Sequence, residues 1–268
     1  MLMDFLTLVL AGGLVGYAVG LTGVGGGSLM TPILLLMGYP PPVAIGTDLL
    51  YAGLTKAGGM VVHHQKGNVL WRTVVVMAAG SLPVTVLLNF WLLDADIHAL
   101  PWYEKLLTTT LGIMLLLTSV VVLFKNHIQR RIASNGNGGA EKSNGDFKRD
   151  VLTFSLGILL GICVTLSSVG AGAFGAAALF MLLPKVSSVR IVGTDIAHAV
   201  PLTLLGGVGY LYNDQVDFML LGGLLCGSLP GIYLGSHTGN RVPENLLRGI
   251  LVAALFALGI KFIFFSGH

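Results

Sequence analysis

The stretch Gly23-Val24-Gly25-Gly26-Gly27-Ser28 decides how the rest of the chain is read. It lies between two almost wholly apolar runs, roughly 4–22 and 28–38. Glycine gives up more backbone entropy in a helix than any other residue and admits dihedrals that others avoid, so the cluster breaks helical continuity. In lipid a broken backbone leaves N–H and C=O groups without partners. That is tolerated only where the chain is enclosed by protein or lines a polar cavity. An interrupted helix inside a membrane bundle is therefore a candidate binding site.

The stretch has an echo. Gly23 and Gly25 recur 147 positions on as Gly170 and Gly172, Gly46-Thr47-Asp48 as Gly193-Thr194-Asp195, and Gly80-Ser81-Leu82-Pro83 as Gly227-Ser228-Leu229-Pro230. Three motifs in one order at one ungapped offset identify an internal duplication.

Composition places the duplication in a membrane. Of the 268 residues 54% are hydrophobic and only 10% charged, where soluble domains carry about 25% charged residues. Cys163 and Cys226 fall within apolar runs and read as small core residues rather than as a disulfide or metal pair. Met1-Leu2-Met3-Asp4 lacks the basic segment of a signal peptide, so the first apolar run is expected to remain as a membrane helix. Most of the 38 glycines read as contact points between closely packed helices.

Ten apolar segments follow, at roughly 4–22, 28–38, 42–64, 68–92, 102–125, 150–168, 173–184, 187–211, 216–236 and 244–265. The segments at 28–38 and 173–184 fall short of the ~20 residues a span needs, and both directly follow a glycine cluster. The expected organisation is a first membrane repeat over 1–125, a polar linker over 126–149 and a second membrane repeat over 150–268. Lys125, Arg130, Arg131, Lys142, Lys148 and Arg149 place the linker in the cytoplasm. The basic loop at Lys66 then corresponds to the acidic loop at Asp214, on the opposite side. The expected fold is thus an all-α polytopic membrane protein. It has two inverted repeats of about five helical segments each, with short broken helices after the glycine clusters and both termini outside. If both short segments re-enter instead of crossing, the inversion fails.

Helices starting near Ser28 and near Gly175 would point unpaired N–H groups and positive dipole ends into the breaks, which suits an anion. The candidate substrate-binding residues are Gly25, Gly26, Gly27 and Ser28 in the first half, and Ser167, Ser168, Gly170 and Gly172 in the second. Thr47, Thr194 and Lys56 complete the set. The competing reading is that the glycines only permit tight crossing. Asp48 and Asp195 are ionisable groups within apolar helices, costly enough to imply a task. With His198, three residues past Asp195 on one helical face, they are candidates for proton coupling. Each aspartate could instead cap the broken backbone. Lys56 is read either as an anion counter-charge or as a side chain snorkelling to the cytoplasmic surface. Adjacent His63 and His64 face different directions on a helix end and make a poor metal pair, and Pro201 is expected to kink its helix.

Gly23-x-Gly25-Gly26-Gly27 followed by Pro32, then Ala44-x-Gly46-Thr47, then a basic loop with Gly67-x-Val69, resembles the TauE/SafE family of sulfite and organosulfonate exporters. The likeness extends across nearly the whole chain. The second cluster, Gly170-Ala171-Gly172-Ala173-Phe174, departs from it by lacking the full glycine run and a proline matching Pro32. The resemblance implies a multi-pass permease of the cytoplasmic membrane for small sulfur-containing anions, without a bound cofactor. The expected partners are a small-molecule anion and the lipid bilayer, with no nucleic acid and with a homodimer left open. Two other classes stay in view: a membrane-embedded enzyme using Asp48 and Asp195, and a cation or metal transporter using the same acids and histidines. Intramembrane aspartyl proteases pair Tyr-Asp with Gly-x-Gly-Asp, whereas both aspartates here stand in Gly-Thr-Asp.

Overall fold

The computed structural model describes residues 2–22, 29–92, 101–134, 144–238 and 244–264. Among these residues the chain forms ten helices and no strand. They are α1 (Leu2–Thr22), α2 (Met30–Leu36), α3 (Pro41–Gln65), α4 (Trp71–Leu92), α5 (Pro101–Ser134), α6 (Asn144–Ser167), α7 (Ala173–Leu182), α8 (Ser188–Tyr212), α9 (Phe218–Thr238) and α10 (Glu244–Phe264). The ten segments read from hydropathy each become one helix. The short segments after the glycine clusters are the two shortest helices, α2 with 7 residues and α7 with 10. The polar linker contains less irregular chain than its composition implies, since α5 runs on to Ser134 and α6 already begins at Asn144.

Among the described residues five helices are long and apolar enough to cross a membrane: α4, α5, α6, α8 and α9. Their outward faces carry large apolar side chains, such as Leu87 at 67% exposure and Phe154 at 41%, which in water would be costly and in lipid are at home. α3 is less apolar because it holds Thr47, Asp48, Thr55 and Lys56, and it can do so because its first three turns are enclosed by protein. Prolines at 40–42 start it, where the missing N–H groups would find no helical partner anyway.

Packing follows the duplication. α1 lies along α9 and α6 lies along α4, the same pairing with the halves exchanged. In both pairs the helices run parallel through seams of small residues: Gly12 and Gly16 meet the backbone of Leu224 and Ser228, and Gly157 and Gly161 meet that of Met77 and Ser81. Lipid offers no hydrophobic drive for association, so backbone-to-backbone approach at such seams supplies the contact energy. α3 and α8, equivalent helices, pack on each other and run antiparallel, with Gly46 against Tyr210, Gly53 against Leu204 and Gly193 against His63. α5 and α10 also pair, and their equivalent residues Gly112 and Gly259 touch: a Cβ on either would sit 3.0 Å from the carbonyl oxygen of the other.

The turns after α3 and α8 share a closing bond. Asn68 N–H donates to His63 O and Gln215 N–H to Tyr210 O, both at 2.9 Å. Gly67 and its equivalent Asp214 both take positive φ, +66° and +56°. Across the halves, Arg72 on α4 pairs with Asp150 on α6 at 2.7 Å.

Candidate functional site

The site is built where α3 and α8 cross, beside the starts of the two short helices. Asp48 is fully buried on α3, and its Oδ2 accepts the N–H of Thr31 at 3.1 Å and the Thr31 hydroxyl. Thr31 belongs to the first turn of α2, where helical N–H groups have no intrahelical acceptor. The carboxylate therefore caps the short helix, as the structural alternative for this residue anticipates. Its other oxygen, Oδ1, has no partner among the described residues.

The second half breaks its helix at 168–172. Ser168, Gly170 and Gly172 all take positive φ, at +58°, +122° and +141°. Glycine adopts such angles freely, whereas for serine the left-handed region is uncommon and costs energy. The bend delivers the buried Ser168 hydroxyl to the side of Asp48, within reach of its carboxylate. The same bend presents the carbonyl of Ala171 to Lys56, whose Nζ donates to it at 2.6 Å. Lys56 thus reaches into the bundle rather than to a surface, and it lies within electrostatic range of Asp195, Asp48 and His198. One hydrogen bond uses one of the three ammonium donors.

Asp195, at 3% exposure, faces the first turn of α7, where a Cβ on Gly175 would overlap its Oδ1. It has no hydrogen-bond donor among the described residues. His198, a turn later on α8, shares a 2.8 Å hydrogen bond between Nε2 and Ser81 Oγ, and its Nδ1 is unpartnered. The equivalent position in the first half is Tyr51, and the equivalent of Ser81 is Ser228.

Of the side chains anticipated from sequence, the structure brings Asp48, Lys56, Ser168, Asp195 and His198 into one cluster drawn from both halves. Gly170 and Gly172 shape its wall. Ser167 turns back, donating to Cys163 O at 2.6 Å. Thr47 and Thr194 are engaged elsewhere. The Thr47 hydroxyl accepts the N–H of Asp217 at 3.2 Å, and the Thr194 hydroxyl accepts the N–H of Leu70 at 3.0 Å. Leu70 and Asp217 are themselves equivalent, so each half holds the hairpin of the other by the same bond. His64 Nδ1 receives the Trp71 indole N–H at 3.2 Å, while the His63 ring lies against Gly193. α8 continues through Pro201 to Tyr212. Gly25, Gly26, Gly27 and Ser28 lie outside the described residues.

Thr31, Ser81, Gly175 and the Ala171 carbonyl are additions that sequence reading did not single out as site residues. Ser81 was within reach, since its motif recurs intact in the second half. The sequence already places Gly175 near a helix start, but that it faces Asp195, and that Thr31 meets Asp48, is visible only once the chain is folded.

An all-helical bundle with lipid-facing spans, two short interrupted helices and a buried cluster of ionisable groups defines a multi-pass membrane protein built around an internal polar site. Comparison with known proteins gives that class a family. The family described as sulfite exporter TauE/SafE matches residues 8–262, and the chain belongs to it. The chain is 33% identical over 261 residues to the probable membrane transporter protein YjnA of Bacillus subtilis (strain 168), covering 96% of this chain and 99% of that one. It is 27% identical over 257 residues to the probable membrane transporter protein YdhB of the same organism, covering 94% and 97%. A probable membrane transporter protein of Xylella fastidiosa (strain Temecula1 / ATCC 700964) is 26% identical over 267 residues, covering 96% and 94%. No solved structure matches the chain. The protein is a membrane transporter of the cell membrane.

Proposed function

We propose that the chain is a secondary transporter that exports small sulfur-containing anions, sulfite or organosulfonates, by alternating access between two inverted repeats. The observation that carries this reading is the meeting of Lys56, Ser168 and the two aspartates at the ends of both interrupted helices. An ammonium with donors to spare, the Ser168 hydroxyl and the N-terminus of α7 together supply what an oxyanion needs. The glycine donors of 25–27 join them on the sequence argument given above. Antiparallel packing of the equivalent helices α3 and α8 supports the inversion, because copies related that way cross the membrane in opposite senses. Asp48, Asp195 and His198 are the proton-coupling groups of this reading.

A panel of hydrogensulfite at mildly acidic pH, methanesulfonate, thiosulfate, sulfoacetate and sulfate tested for thermal stabilisation of the purified protein checks the substrate class. A ligand that binds only the native state at a hundred times its Kd stabilises by about 2.7 kcal/mol. The unpartnered carboxylate oxygens favour one competitor, a cation carrier. Stabilisation by metal cations and by none of the anions would replace the anion reading with that one. Tags in the 126–149 linker are expected to report cytoplasmic, and tags at both termini outside; termini on opposite faces would end the inverted reading.

A further inference from the structure

The cluster around Lys56 has an unbalanced charge, and the imbalance constrains what can enter. Among the described residues two buried carboxyl groups, Asp48 and Asp195, share one ammonium, Lys56. The position equivalent to Lys56 in the second half is Thr203, so the duplication supplies no second cation. Among the described residues the other groups facing Asp48 are Thr31 from α2, Ser168 from the bend after α6 and Tyr51 from α3, while His198 from α8 lies near Lys56 and is tied to Ser81 through Nε2. Arg72, the cation paired nearest in the chain, is committed to Asp150 at an exposed site.

With both acids ionised the cluster is net negative and repels an anion. A buried net charge is costly unless paired. A monovalent anion completes a neutral set only when it meets Lys56 with both carboxyls protonated. Each protonated carboxyl then turns an orphaned acceptor into an O–H donor towards the same anion. The geometry points to a site that takes a monovalent oxyanion together with protons on Asp48 and Asp195, and that rejects divalent anions for want of a second cation. This deepens the anion-binding part of the transport reading and rests on that part, not on the direction of transport. The protons come from solution onto the two carboxylates and leave to solution when the anion leaves.

The test uses the full chain in detergent, with methanesulfonate as the monovalent probe and sulfate as the divalent one, titrated between about pH 5 and about pH 9. Methanesulfonate does not titrate in this range, so any pH dependence belongs to the protein. Its affinity is expected to fall as pH rises, by up to about tenfold per pH unit for each coupled proton. A pH-indicator dye in weak buffer should record proton uptake on binding. Sulfate is expected to bind at least about tenfold more weakly. Asp195→Asn, a permanently neutral amide, should flatten the pH dependence by about one proton, so that methanesulfonate affinity falls less at high pH than in the parent protein. Asp48→Asn should do the same, and if neither variant folds the wild-type slope decides alone. Methanesulfonate binding that ignores pH, or that releases protons, overturns this inference and leaves the anion reading intact. Sulfate binding as tightly as methanesulfonate also overturns it. Binding of neither anion removes both.

Discussion

Asp48 and Asp195 stand at equivalent positions of a duplicated chain, yet their surroundings have diverged. Asp48 is fixed by two donors from Thr31 at the head of α2, whereas Asp195 faces glycine at the head of α7 and accepts nothing among the described residues. A carboxylate that closes a helix end is part of the scaffold, and one that faces a bare glycine is available for exchange with solvent or ligand. The duplication has therefore yielded one anchored acid and one unanchored acid, with Lys56 bonded on the unanchored side through Ala171. Two geometric copies do not make two functional copies.

The contrast breaks most visibly on deleting each acid. Asp48→Ala strands the Thr31 N–H and hydroxyl in a buried place, at about 1–3 kcal/mol for each group left unpaired. Asp195→Ala strands no hydrogen-bond partner among the described residues but takes a counter-charge from Lys56, so it should cost less than Asp48→Ala, which takes a counter-charge and strands two donors as well. Melting temperatures of the two variants in detergent should differ by several degrees, with Asp48→Ala the lower; equal losses would show that both acids are structural. A smaller effect is expected from crowding the open side. Gly175→Ala forces a methyl against Asp195 Oδ1 and should cost about 1–3 kcal/mol, while Thr31→Ser, which keeps the donor, should be nearly silent. If Gly175→Ala melts like the parent protein, Asp195 has room to move and the wall is soft. The smallest effect sharpens the comparison from the other direction, because here the halves do match. Thr47→Val and Thr194→Val each delete one bond to the opposite hairpin, so each should cost about 1 kcal/mol and by the same amount. Unequal losses would mean that the hairpins, too, have diverged.

Much of this molecule was legible in the order of its residues. The offset that carries Pro41 onto Ser188 and Trp71 onto Phe218 also carries the starts of α3 and α4 onto those of α8 and α9. Hydropathy and the glycine clusters located both short helices, and the cost of a buried charge marked Asp48 and Asp195 as site residues. What sequence could not supply is which atoms meet. Thr47 and Thr194 looked like ligands because they precede the aspartates, but adjacent helical residues point about 100° apart. Their hydroxyls go to hairpins that are remote in sequence. The direction of Lys56 was likewise undecided, since a long stem can reach a surface or a core with equal ease until the Ala171 carbonyl is in place. α5 and α6 overran the polar linker because helix continues past the membrane edge wherever water can satisfy its outer face.

The hairpin bonds make the two halves depend on each other. Thr47 secures the turn that leads into α9, and Thr194 secures the turn that leads into α4. Neither half closes its own turn with its own threonine; each of these two contacts is made to the opposite half. Separating the halves would therefore return both N–H groups to water and release both turns at once, which makes the crossed pair of threonines a clasp between the halves.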